Sequence, residues 1–146
     1  MRGAVVSGQL IVKMKEKELF TLAKTMYGEA RGESNLGKQA VCHVILNRVK
    51  KGGWWGNTIE KVCRKRYQFS CWNENDPNKE KLEKLTLDNT GYLICIGIAS
   101  GCLAGKLKDN TNGSTHYHVK DLQPAWSAGE EPEVIIKNHV FYTGIA

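Results

Sequence analysis

Apolar residues recur at helical spacing from Glu16 onward, where Leu19, Leu22, Ala23, Met26, Tyr27 and Ala30 share one face. The pattern predicts a helix that stops near Gly32, since glycine is disfavoured inside helices and common just past their ends. A second stripe, Ala40, Val41, Val44 and Ile45 with Arg48 along it, predicts another helix capped by Ser34 or Asn35. Lys50 and Lys51 suit its C-terminal end, and Gly52-Gly53 closes it. "GNTIEKVC" then opens a short helix, with Asn57 as cap and Glu60 three residues on. "YQFSCW", from Tyr67 to Trp72, is aromatic-rich without a helical period and reads as extended. The polar run "NENDPN" is a loop, followed by helices over Lys79–Leu87 and Thr90–Ala99 broken by "DNTG". Beyond a second polar loop, "DNTNGS", the stretch "EVIIKNHVFY" offers two short β-rich runs about Lys137-Asn138. The sum is an α+β fold, mainly helical: one domain with a short C-terminal β-hairpin.

Composition narrows the class without choosing a function. At 146 residues, 41% hydrophobic and 25% charged, the chain has the profile of one globular domain able to bury a real core. Its longest apolar run, "YLICIGIAS" from Tyr92, lies between Gly91 and Gly101 and is too short to span a membrane. At the N-terminus, Arg2 precedes an apolar stretch in the manner of an export leader, but Ser7, Gly8 and Gln9 interrupt it and no A-x-A-like site follows. The five cysteines form no C-x-x-C pair, which argues against a zinc ribbon or a thioredoxin-type site. Cys42 and Cys95 sit among apolar helical residues and are expected as small core side chains, consistent with synthesis in a reducing compartment. The net charge of +6, densest in "KVCRKR" (Lys61 to Arg66), attracts polyanions. Nucleic acid is not indicated, because zinc-finger spacing, an RNP-like motif and a heptad-linked basic region are all missing from the sequence.

Chemistry concentrates in "MYGEARGES", Met26 to Ser34, where Glu29 and Glu33 stand four residues apart at a helix end. Helical phase puts Glu29 at the shoulder of the apolar stripe beside Leu22, and Glu33 nearer its middle, although Gly32 makes the second placement insecure. Phase alone does not decide between them. A carboxyl in the last helical turn faces the negative end of the macrodipole, and burial beside Leu22, Met26 and Tyr27 also favours its neutral form. A glutamic acid kept protonated near neutral pH is what a general acid for glycosidic cleavage requires. The segments "YQFSCW", "STHYH", "QPAW" and "NHVFY" add aromatic rings, amides and hydroxyls, the usual lining of a sugar-binding cleft. His116 and His118 share a face of an extended chain without supplying a third metal ligand. Cys71 with His116 or His118 would imitate a cysteine-peptidase pair, but "FSCWNEND" runs into an acidic loop rather than a helix N-terminus that would lower the thiol pKa.

Taken in order, "MYGEARGESNLGKQAVCHVILNRVK", "NTIEKVC", "YQFSCW", "GSTHYH", "PAW" and "NHVFY" resemble the spore cortex-lytic, SleB/CwlJ-type cell-wall hydrolases, whose relatives include phage endolysins. The resemblance spans roughly Leu19 to Tyr142. It implies a lysozyme-like fold and cleavage of peptidoglycan between N-acetylmuramic acid and N-acetylglucosamine. The family's catalytic glutamate matches Glu29, leaving Glu33 a supporting role. Gln68, Phe69, Ser70, His116 and Tyr117 match positions expected near the substrate.

By the same resemblance the reaction is a lytic transglycosylation giving 1,6-anhydro ends, with no metal or organic cofactor. Glu33, Glu74, Asp76 and Asp109 are possible second acids, so a hydrolytic muramidase stays open, as does a non-catalytic peptidoglycan-binding protein. Residues 1–15 are expected to be an N-terminal extension and residues 16–146 the catalytic domain. The expected partner is bacterial peptidoglycan, met by a monomer without nucleic acid or stable membrane insertion. Free cysteines and the lack of a convincing leader suit a protein made in the cytoplasm and released on lysis.

Overall fold

A computed structural model of the chain describes the backbone of residues 2–146 and the side chains from Lys15 onward. Helix α1 spans Arg2–Ala30, so it starts well before Glu16, and the boundary between residues 15 and 16 falls inside it. The side chains weighed above for an export leader, Arg2 and Ser7 to Gln9, lie outside the described ones. The predicted stripe forms the buried face of α1, with Leu22, Ala23, Met26 and Ala30 all removed from solvent. Helix α2 spans Asn35–Lys51, and Ser34 caps it by accepting a 3.1 Å hydrogen bond from the Gly37 N–H. The chain leaves α2 through Gly52 (φ 63°) and Gly53 (φ 58°), left-handed conformations that glycine adopts without steric cost. That exit throws the next residues into a 3-10 turn, Gly53–Trp55.

Three local expectations are corrected by tertiary context. Helix α3 spans Ile59–Arg64 and is capped by Thr58, not Asn57: Thr58 has the extended backbone a cap needs, and its Oγ1 accepts from the Lys61 N–H at 3.1 Å. Tyr67 to Trp72 is not an extended run. Tyr67 turns at φ 66° and Ser70–Trp72 is a 3-10 turn. Packing decides this, since Phe69, Cys71 and Trp72 are buried, and Trp72 Nε1 donates to Thr25 Oγ1 on α1 at 2.9 Å. Finally, α4 spans Pro77–Glu83 behind an Asp76 cap, starting and ending earlier than its pattern suggests, while α5 continues past Ala99 over Thr90–Leu103.

Helix α1 packs against α2, α3 and α5. The main core joins Leu22 and Met26 of α1, Val41 and Ile45 of α2, Val62 of α3, and Cys95 and Ala99 of α5. Cys42 and Cys95 are fully buried within it, as their apolar neighbours imply. The predicted hairpin is present as β2 (Val134–Ile136) and β3 (His139–Tyr142), turning at Lys137 with φ 54°. A further strand, β1 (His116–Val119), pairs antiparallel with the other edge of β3, giving a three-stranded sheet of order β1-β3-β2. Ala40 and Val44 of α2 meet Phe141 of β3 in a second apolar cluster, which fastens the sheet to the helices.

Gly28 sets how closely α1 approaches the Gln68–Trp72 segment. A Cβ there would meet Cys71 Sγ at 2.8 Å, Cys71 Cβ at 2.9 Å and Leu82 Cδ1 at 3.3 Å. Gly28→Ala is therefore expected to lower stability by about 1–3 kcal/mol, the cost of overpacking a filled core, despite alanine's better helix propensity. Chemical denaturation measures this. Adding Cys71→Gly should recover part of the loss, whereas simple additivity of the two effects would discount the contact.

Candidate active site

The last turn of α1 carries Glu29 into the wall of a cleft of about 790 Å³. Arg48 and Lys51 at the end of α2, Trp54 and Trp55 of the following turn, Gln68 and Phe69, His116 and Tyr117 of β1, and Trp126 also line it. Tyr117 O–H donates a 2.7 Å hydrogen bond to Glu29 Oε1 across 88 residues of sequence. Burial pushes the Glu29 carboxyl above its ordinary value. Hydrogen bonds from Tyr117 and Cys71 and the charge of Arg48 oppose that shift without cancelling it, and Asp76 reinforces it. Such a carboxyl keeps its proton to higher pH than an exposed glutamate does, and Tyr117, Cys71 and Arg48 lie where they favour its ionised form.

Tyr117 is held from both sides. Its ring packs between the helical core and the cluster around Phe141, and burial next to Glu29 keeps the phenol protonated, hence a donor. The start of β1 is pinned to α2: Arg48 Nε donates to the Thr115 carbonyl at 2.8 Å, and Asn47 Nδ2 to the Ser114 carbonyl at 3.0 Å. Arg48 lies 4.2 Å from the Trp55 ring centroid and 5.2 Å from that of Phe69, and its buried Nη1 has no hydrogen-bond partner. An unpaired buried guanidinium nitrogen on a cleft wall is a donor available to an oxygen-rich ligand.

Among the described residues, no side chain lining the cleft other than Glu29 carries a carboxyl. Each candidate second acid is occupied elsewhere. Glu33 Oε2 accepts from Asn138 Nδ2 at 3.1 Å, and its Oε1 lies 3.2 Å from His139 Nδ1, out of line for a hydrogen bond. It ties the turn between α1 and α2 to β3. Glu74 pairs with Lys79 at the surface. Asp76 caps α4 through a 2.8 Å bond from the Asn78 N–H. Burial would raise Asp109, but hydrogen bonds from Thr111, Asn47 and Gly113 overcome this and hold it below the usual carboxylate range.

Of the sequence-predicted binding residues, Gln68, Phe69, His116 and Tyr117 come together on the cleft. Ser70 is a correction: it is exposed at the start of its 3-10 turn and does not line the cleft, because that turn rotates it away from buried Phe69. His116 sits edge-on between Trp55 and Trp126. Burial, with the charges of Arg48 and Lys51, lowers its pKa to about 4, so it is a neutral imidazole at physiological pH. His118 hydrogen-bonds Tyr142 O–H at 2.7 Å. No group of three His, Cys, Asp or Glu side chains among the described residues is placed to hold a metal. The cysteine-nucleophile alternative fails on geometry, since Cys71 is buried beside Glu29, which together with burial pushes its thiol far above the ordinary value. Sequence reasoning missed Arg48, Trp54 and Trp55 as cleft residues. An aromatic pair bracketed by glycines, "GGWWG", was the available signal for two of them.

Residues 32–142 match the family model described as Cell Wall Hydrolase, and the chain belongs to this family. Membership makes it a cell-wall hydrolase of the SleB/CwlJ type, an enzyme of peptidoglycan degradation with a lysozyme-like fold. The matched segment begins at Gly32, three residues after Glu29. The chain is similar to the catalytic domain of the Bacillus cereus SleB protein, with a TM-score of 0.67, 26% identity, and coverage of 88% of this chain and 91% of that one. No curated protein matches it significantly.

Two measurements probe the carboxyl itself. Because burial raises Glu29 in the folded state, its unfavourable ionisation should cost stability as pH rises from about 4.5, its ordinary value, through the folded pKa. Below that window both states are protonated; above it the penalty is complete. Glu29→Gln removes the penalty, so denaturation curves of variant and parent should diverge across this window with the variant gaining. Removing a donor to the carboxylate acts the other way on the proton: Tyr117→Phe should raise the Glu29 titration midpoint seen by carbon NMR of its carboxyl.

Proposed function

We propose that the protein cleaves the glycan strand of peptidoglycan between N-acetylmuramic acid and N-acetylglucosamine as a lytic transglycosylase, with Glu29 as general acid and then general base. The observation that carries this reading is a raised side-chain carboxyl, the lone one among the described residues that line the cleft, beside aromatic, amide, cationic and aliphatic groups. Glycosidases that use water as nucleophile employ two carboxyls at set separations. Transglycosylation needs one, because the attacking hydroxyl belongs to the substrate. Glu29 gives its proton to the glycosidic oxygen as the C1–O bond breaks. The resulting carboxylate, supported by Tyr117 O–H and Arg48, takes the proton of the muramoyl C6 hydroxyl as that oxygen bonds to C1. No water is consumed, and the product is a 1,6-anhydromuramoyl end.

Roles for the surrounding residues follow from their chemistry. Trp54, Trp55 and Trp126 offer ring faces and edges to sugar surfaces, and Gln68 and neutral His116 offer hydrogen bonds to hydroxyls or acetamides. Arg48 serves an acetamide or lactyl oxygen through its free Nη1. Phe69 forms part of the apolar wall, and Glu33 braces the turn after α1. We assign residues 16–146 to the catalytic unit, residues 1–15 to an N-terminal extension, and action at the wall to a monomer released by lysis. Fractionation that finds the intact chain outside unlysed cells would count against that route.

Glu29→Gln should sediment with purified walls as the parent does but fail to clear them, with activity down by at least about a thousandfold. Mass spectrometry of parental digests should give muramoyl ends one water lighter than reducing ends. Reducing ends from the parent would assign a hydrolytic muramidase, and clearing at full rate by Glu29→Gln would remove the proposal.

A further inference from the structure

A second groove, of about 710 Å³, opens beside the cleft and shares Gly53, Trp54 and Trp55 with it as a common wall. Its far side carries Lys61, Arg64 and Lys65 from α3 and the residue after it. Lys61 and Arg64 are exposed, and among the described residues none of the three lies in an ion pair. Lys65 Nζ stands 4.4 Å from the Trp54 ring centroid, and the Arg64 guanidinium lies 4.2 Å from that of Trp72. Among the described residues the one acid of this groove, Glu60, accepts a 2.8 Å hydrogen bond from Thr21 O–H. Cations near a helix C-terminus complement its dipole, which accounts for Arg64 and Lys65 in part. It does not account for three of them along one groove, or for the 65% exposed Trp54 that partitions this groove from the cleft.

We infer that this basic side groove receives the acidic peptide stem of the muramoyl residue whose sugar lies in the cleft. The inference rests on the glycan-cleaving function proposed above. Two features favour this occupant. The groove branches from the cleft across a shared wall, as a substituent branches from a strand, and its cations match the stem's carboxylates. A free-standing polyanion would need no such continuity. These cations line the side groove and not the cleft that holds Glu29, so they act on capture rather than chemistry, and the groove confers a preference for stem-bearing over peptide-stripped strands.

The test compares soluble glycan strands bearing stems with the same strands stripped by an amidase, both free of phosphodiester wall polymers. The parent should favour the stem-bearing strands. Lys61→Gln/Arg64→Gln/Lys65→Gln should raise KM on them about tenfold with kcat within about twofold, and leave KM on stripped strands unchanged. Lys61→Gln alone, at a side chain that packs on no ring, should show part of the effect, and the charge-conserving Lys61→Arg/Lys65→Arg should keep the parental preference. Equal losses on both strands, no loss on either, or a loss confined to walls that retain phosphodiester polymers would each overturn the inference. Because these constants are read in the Glu29 parent, failure of the proposed chemistry shows separately, as retained cleavage by Glu29→Gln.

Discussion

The structure turns on one contact between distant parts of the chain, the hydrogen bond from the Tyr117 hydroxyl to the Glu29 carboxyl. It imposes two requirements. The carboxyl must reach the edge of the core, where burial raises its pKa, and the phenol must arrive from the sheet in register with the last turn of α1. Helical packing meets the first, since α1 sits among α2, α3 and α5 and so carries Glu29 to the edge of the core. Fastening of the sheet meets the second. Arg48 and Asn47 bond the backbone just before β1, while Phe141 packs into Ala40 and Val44 of the same helix. Helix α2 is thus the common reference for both partners.

Arg48 illustrates how structural and electrostatic duties combine in one residue. Its Nε holds Thr115, its plane lies over Trp55, and its charge moderates the rise in the Glu29 pKa. Burial outweighs these opposing influences, so the net direction is upward. Under the proposed mechanism that balance would favour the acid before transfer, and the surrounding donors would support the carboxylate after it. Burial, helped by the same cation and by Lys51, lowers the pKa of His116 to about 4, so a second titratable group on the cleft stays neutral.

Much of the fold was legible where local rules and tertiary packing agree. The stripe from Leu22 to Ala30, the Ser34 cap and the hairpin about Lys137 follow from periodicity, hydroxyl capping and β-rich runs, and each is present. Misreadings fell where packing overrides local preference. Tyr67 to Trp72 looked extended, yet the Trp72 indole bonds to Thr25 and buried Phe69 draws the segment into a turn that leaves Ser70 outside the cleft. Asn57 and Thr58 are both good caps, and only the backbone angles choose between them. A paired aromatic gives no period, so Trp54 and Trp55 carry no local sign of their place; the glycine exits from α2 decide that they line the cleft.

By itself the sequence determined a mainly helical domain, a basic surface and two acids four residues apart at a helix end, because periodicity, charge and chain order are local properties. It also carried the ordered motifs that mark the family. Only the tertiary structure decided which acid shares a cleft with aromatic rings and which braces a turn, because burial and hydrogen-bond partnership depend on groups brought from far along the chain. Glu29 meets Tyr117 and Cys71, while Glu33, just past the end of the helix, meets Asn138 and His139. A carboxyl's environment sets its proton affinity, and no stretch of nine residues contains that environment.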